Sequence, residues 1–130
     1  MTVDVTQPRS DSAPTTWVAV CRLDDLAPER GAAAIVAGVQ VALFRTVDDT
    51  VYAVQQLDPY SGAHVMSRGI VGTRGEASTV ASPMFKQVFD LRSGECLDSV
   101  GRDLRTLDTW ATEVRGGVVH VARPDAVMAP

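Results

Sequence analysis

The chain is poor in several things. Of its 130 residues only 5% are aromatic, two are cysteines and two are histidines, and a single lysine, Lys86, stands among twelve cationic side chains. No apolar run approaches the ~18 residues that a membrane-spanning helix needs, which excludes a helical span. Net charge is −4, the wrong sign for a protein that binds a nucleic-acid backbone. Gly-x-Ser-x-Gly does not occur, so a nucleophile elbow is absent. The glycine-rich stretch Gly69-Ile70-Val71-Gly72-Thr73-Arg74-Gly75 lacks a lysine and a following helix, so it reads as a turn-rich loop and not as a phosphate cradle. No internal period points to repeats. The eleven arginines are scattered, which fits codon usage in a GC-rich genome better than an anion site.

What remains is ordinary for a globular protein: 45% hydrophobic and 22% charged residues in a length suited to one domain. Residues 1–16 are polar, without the basic start and apolar centre of a secretion signal, and Asp4 and Asp11 argue against an organelle transit peptide. They are expected to form a flexible tail, with residues 17–122 as the domain and 123–130 as a second tail. The expected compartment is the cytoplasm. Cys21 and Cys96 are then reduced, and both lie in apolar strand patterns where cysteine acts as a small hydrophobe.

From Trp17 onward short strands alternate with turn residues. Strands are predicted over Trp17–Cys21, Ala32–Ala37, Val39–Thr46 and Val51–Gln55, then over Thr79–Ala81, Gln87–Leu91 and Cys96–Asp98. Asp24 to Gly31 is a polar connection with room for one helical turn. Between them, Leu57 to Ser78 holds four glycines and no sustained period, and is predicted to be one long loop of functional origin. Near the end, Asp108–Val114 and Val118–Ala122 flank Gly116-Gly117, a strong hairpin signal. The sum is an all-β domain, an antiparallel sandwich or barrel.

Candidate chemistry is sparse. Asp24-Asp25 and Asp48-Asp49 sit at turns, where aspartate bonds to nearby backbone. Two cysteines and two histidines are the inventory of a Rieske [2Fe–2S] centre, but the spacing is wrong. Cys21 and Cys96 have no histidine two or three places on, and neither His64 nor His120 has a cysteine within three residues. His64 falls in the loop, and His120 faces away from Val119 and Val121 on the final strand.

A resemblance appears once the order of the segments is considered. Ser82-Pro83-Met84-Phe85-Lys86-Gln87-Val88-Phe89-Asp90-Leu91-Arg92-Ser93-Gly94 resembles the Rieske ferredoxin motif Cys-Pro-x-His-Gly-x-x-Phe-Asp-x-x-x-Gly. Upstream, Leu57-Asp58-Pro59-Tyr60 resembles that family's Cys-x-His loop. The match puts Asp58 and Ser82 at the cysteine positions, Tyr60 and Phe85 at the histidine positions, and Lys86 at the glycine. The expected fold is therefore a Rieske-like ferredoxin fold with a cluster-loop subdomain and degenerate ligand positions. Within that family, Gln56 to Ala63, Ser67 to Gly72 and Ala81 to Leu91 are similar to the small subunits of assimilatory NAD(P)H-dependent nitrite reductases, over about Trp17 to Ala122.

This resemblance implies an accessory subunit without catalytic residues or metal of its own. Its large partner carries FAD, sirohaem and an iron–sulfur cluster and reduces nitrite to ammonium. Tyr60, Met84 and Phe85 are left either to pack inside the emptied loops or to face a partner, with Lys86 as a possible ion-pairing residue. Two other readings stand beside it: a Rieske-type electron carrier for an oxygenase, which would need the four ligands, and a stand-alone protein-binding module.

Overall fold

Alternation of β-branched residues with turn residues produces eleven strands in the computed structural model, which describes residues 16–123. They are β1 (Trp17–Arg22), β2 (Arg30–Val36), β3 (Val39–Arg45), β4 (Val51–Gln55), β5 (Ile70–Arg74), β6 (Ala77–Ala81), β7 (Val88–Asp90), β8 (Cys96–Asp98), β9 (Thr109–Trp110), β10 (Thr112–Arg115) and β11 (Val118–Ala122). Among the described residues, helix is confined to two single 3-10 turns, Leu23–Asp25 and Met66–Arg68. No helix among the described residues is long and apolar enough to cross a membrane. The expected tails lie outside the described residues, apart from Thr16 and Arg123, which pair through Arg123 N–H and Thr16 C=O at 2.8 Å.

The strands form three antiparallel sheets, ordered β9-β4-β3-β2, β8-β7-β6-β5 and β10-β11-β1. The first lies between the other two, because β3 is apolar on both faces. Val41 and Leu43 point to one side and Ala42 and Phe44 to the other, and all four are at most 1% exposed. A continuous apolar run of this kind marks a strand covered on both faces. One core packs Val41, Leu43, Val51 and Ala53 against Val119 and Val121 of β11. The other packs Ala42, Phe44 and Val54 against Met66, Val80, Phe89, Leu91, Cys96 and Leu107. This second core lies beneath the loops that carry the degenerate ligand positions.

Two expectations are corrected. Leu57 to Ser78 is not one structureless loop: Ile70–Arg74 is strand β5, pairing with β6 from Ile70↔Ala81 to Arg74↔Ala77. It is an edge strand with Ile70 75% exposed, so it carries no buried alternation for a sequence reading to detect. Asp108–Val114 is also not one strand. It breaks at Ala111: Thr109–Trp110 pairs with β4 and Thr112–Arg115 with β11. The chain changes sheets there, a device that turns a corner between packed sheets. The Gly116-Gly117 hairpin forms as expected, with φ of +59° and +78°, the left-handed pair that a two-residue type I′ turn needs. Gly94 is equally constrained: φ is +78° and a Cβ would strike the Leu107 carbonyl oxygen.

Candidate functional site

Two loops carry the four ligand positions, and they meet at Asp58 and Ser82. The first leaves β4 and is folded back by Gln56. That side chain accepts from the Ser67 N–H at 2.8 Å and donates to Ser67 Oγ at 3.0 Å. Within the loop, Asp58 N–H donates to Ala63 C=O and Gly62 N–H to Asp58 C=O, both at 2.8 Å. The second loop runs from the end of β6 to β7. Ser82 N–H donates to Gln87 C=O at 2.9 Å and Lys86 N–H to Ser82 C=O at 3.1 Å.

The two positions expected to replace cysteine meet each other. Asp58 is fully buried and Ser82 is 1% exposed. Ser82 Oγ–H donates to Asp58 Oδ2 at 2.6 Å, a length typical of a charge-assisted bond. The same oxygen accepts from Ser61 Oγ–H at 3.0 Å, and Oδ1 accepts from Tyr60 N–H at 2.9 Å. Each serine also accepts a backbone proton: Met84 N–H bonds to Ser82 Oγ and Ala63 N–H to Ser61 Oγ, both at 3.2 Å. One carboxylate thus fastens both loops together. A buried carboxylate is tolerable only with its oxygens satisfied, and here three donors satisfy them.

The two positions expected to replace histidine part company. Tyr60 turns inward, its ring 6.1 Å from that of Phe89. Its hydroxyl donates to Asp103 C=O at 2.6 Å, accepts from Arg105 N–H at 2.9 Å, and lies 3.5 Å from the Cys96 thiol. Burial, followed by the Cys96 contact, pushes the Tyr60 hydroxyl pKa above its ordinary value. Phe85 turns outward and is 47% exposed, with Met84 beside it at 46%. The Arg102 guanidinium lies over the Phe85 ring at 5.6 Å. Of the three side chains left open between internal packing and a partner surface, Tyr60 is therefore internal, and Met84 and Phe85 are at the surface. Lys86 has φ +67°, the left-handed backbone natural to the glycine of the Rieske motif. Gln87 is 1% exposed, and its Oε1 finds no hydrogen-bond partner among the described residues, a local cost of about 1–3 kcal/mol.

This donor set does not fit an iron–sulfur cluster. Asp58 and Ser82 spend their oxygens on each other, Phe85 has no donor atom, and the Tyr60 oxygen is bound to the 103–105 backbone. No group of three or more His, Cys, Asp or Glu among the described residues is placed to hold a metal ion. The remaining titratable candidates are structural. Cys21 and Cys96 are free and lie against different cores. Burial, then Asp25, pushes the Cys21 thiol pKa up, away from nucleophilic use. His120 is half-buried opposite Val119 and Val121, and His64 is exposed. Asp25 accepts the Arg22 N–H at 2.9 Å. Asp48 bonds the Thr46 hydroxyl, which holds its carboxyl below the usual range.

The segment 99–108, which connects β8 to β9, carries no motif that marks it in the sequence. It supplies both backbone partners of Tyr60 and the arginine over Phe85. Only the tyrosine hydroxyl hints at it, since a buried phenol needs a partner.

Comparison with known proteins agrees with this geometry. The family model for a Rieske-like [2Fe-2S] domain matches residues 16–122. The nitrite reductase (NADH) small subunit of Salmonella typhimurium is 36% identical over 106 residues, covering 81% of this chain and 95% of that one. A stretch of the nitrite reductase [NAD(P)H] large subunit of Klebsiella oxytoca is 39% identical over 105 residues, 81% of this chain but 11% of that one. Among solved structures, one named for an NADH-dependent nitrite reductase small subunit from Mycobacterium tuberculosis superposes with a TM-score of 0.79. It is 42% identical and covers 88% of this chain and 100% of its own. With its fold, its paired loops and these relatives taken together, the chain belongs to the Rieske-like domain family, in the branch of the nitrite reductase small subunits.

Proposed function

We infer that this chain is the small subunit of an NAD(P)H-dependent nitrite reductase, an accessory protein that binds the large subunit and carries no electron-transfer centre itself. The observation that carries the reading is the Asp58–Ser82 hydrogen bond. It closes the cluster site from within, in a chain similar to small subunits over nearly their whole length. A ferredoxin that feeds an oxygenase has no support here, because it needs the thiolates and imidazoles that these residues replace. In the proposed assembly FAD, sirohaem and an iron–sulfur cluster belong to the large subunit, and the reduction of nitrite to ammonium takes place there. The Klebsiella large subunit contains a stretch similar to this chain, which favours a partnership between this module and a large subunit. Two free cysteines are in keeping with a cytoplasmic site. Met84, Phe85 and Lys86 form the contact, with Tyr60 holding the loop behind them.

The test is co-expression with a flavin–sirohaem large subunit, followed by size exclusion with absorbance read at flavin and haem wavelengths. The small chain is expected to travel with the coloured peak. Purified alone, it is expected to contain neither iron nor acid-labile sulfide. Elution apart from the coloured peak would overturn the subunit reading, and stoichiometric iron and sulfide would overturn the absence of a centre.

A further inference from the structure

The loop end of the molecule is not apolar alone. Four of the ten large exposed hydrophobic side chains among the described residues fall there: Met84 at 46%, Phe85 at 47%, Val100 at 55% and Leu104 at 73%. They come from two segments that the fold locks together. The Tyr60 hydroxyl grips the backbone at Asp103 and Arg105, and Arg102 and Arg105 lie over the Phe85 and Tyr60 rings at 5.6 and 5.9 Å. Residues 83–86 and 100–105 contain three cations, Lys86, Arg102 and Arg105, and one anion, Asp103, a local charge of +2 in a chain whose total is −4.

Resting on the subunit reading above, we propose that 83–86 and 100–105 form one composite docking tip, and that it meets an apolar recess rimmed by carboxylates on the large subunit. Arginine is suited to this because its planar guanidinium binds carboxylate with two parallel bonds and still stacks on an aromatic ring. Holding both guanidinia over rings before binding reduces the side-chain entropy lost on association. A second copy of this chain is a poor occupant. A two-fold contact sets the same patch against itself, so two patches of net charge +2 would face each other, an arrangement that like-charge repulsion opposes. The Klebsiella large subunit, which contains the module in line, also favours a large-subunit surface as the occupant. The tip gives the association a rate that falls with salt. Arg102, Leu104 and Arg105 thereby join Met84, Phe85 and Lys86 as contact residues, with Tyr60 as the positioning residue.

The experiment measures the affinity of the full-length chain for the intact large subunit at 50 and 300 mM NaCl. Variants are Arg102→Glu/Arg105→Glu, Phe85→Ser and, in the turn between β3 and β4, Val47→Ser, whose side chain is 77% exposed. The wild type is expected to bind at least tenfold more weakly in high salt. At 50 mM the double reversal should weaken binding at least 100-fold and Phe85→Ser at least tenfold, and Val47→Ser should match the wild type. Arg102→Gln/Arg105→Gln keeps the side-chain size and should lose at least tenfold, with an unchanged melting temperature as the check on folding. If the wild type binds and the tip variants bind within twofold of it, the tip proposal fails and the subunit reading survives. Failure of the wild type to bind at either salt overturns the subunit reading and the tip with it. If the same variants instead abolish self-association in sedimentation, the occupant is a second copy and the proposal is wrong.

Discussion

The four degenerate ligand positions divide into an inner and an outer pair, and the two pairs have met opposite physical demands. At the inner pair, Asp58 and Ser82 are buried and bonded at 2.6 Å, so a protein–protein hydrogen bond ties the loops where the family motif has thiolates. At the outer pair nothing obliges Tyr60 and Phe85 to meet. One packs on Phe89 and the other stands half out in solvent beneath an arginine. A buried position that loses its metal must recover a complete set of hydrogen bonds, because an orphaned polar group there is costly. An exposed position is free of that demand and can be given over to binding. The inner pair should therefore govern stability and Phe85 association, with Tyr60 holding the loop between them.

The sharpest way to break this division is Asp58→Ala. It leaves two serine hydroxyls and the Tyr60 N–H without their acceptor, and should cost about 3–5 kcal/mol in urea unfolding, since each orphaned buried donor costs about 1–3 kcal/mol. Ser82→Ala removes the link between the loops and the acceptor of the Met84 N–H, but leaves Asp58 bonded to Ser61 and Tyr60, and should cost about 1–3 kcal/mol. If Asp58→Ala unfolds at the wild-type urea midpoint, the carboxylate does not hold the loops.

Tyr60→Phe comes next. It keeps the ring against Phe89 and deletes two hydrogen bonds at the edge of solvent, an expected loss of about 1–2 kcal/mol. The raised hydroxyl pKa adds a signature in pH. A group whose folded pKa lies above its unfolded value of 10.0 contributes stability fully below that value and loses it as pH rises through the folded one. The gap between wild type and Tyr60→Phe should hold steady through neutral pH and narrow above about pH 10. A gap that widens with pH would mean that the phenolate, not the phenol, is the bonded form.

Much of the fold was legible because it rests on local rules. β-Branched runs, aspartate turns and the Gly116-Gly117 pair place most of the strands with no knowledge of their partners. β5 was hidden because an exposed edge strand has no buried face to impose a period. The break at Ala111 was hidden because each half of the strand is ordinary, and only the need to turn between two sheets separates them. The site was half legible. Resemblance located Asp58, Tyr60, Ser82 and Phe85 and left open which would pack and which would face outward. That choice depends on the segment 99–107, whose role is made of backbone bonds to a tyrosine 43 and 45 residues away. No spacing rule reaches so far along the chain.

Lys86, next to Phe85, tests the contact loop at its smallest scale. Its φ of +67° costs a non-glycine residue about 1–2 kcal/mol. Lys86→Gly removes that strain, but the freer unfolded chain takes back about 0.5–1 kcal/mol. The net change in unfolding free energy should be a gain of no more than about 1 kcal/mol. Lys86→Ala keeps the strain and, like the glycine, removes the charge. If the lysine is retained for association, both variants should bind the large subunit more weakly by a similar factor, although only the glycine variant is the more stable. A glycine variant that is more stable and binds as tightly as the wild type would show that the strained lysine serves neither the fold nor the contact.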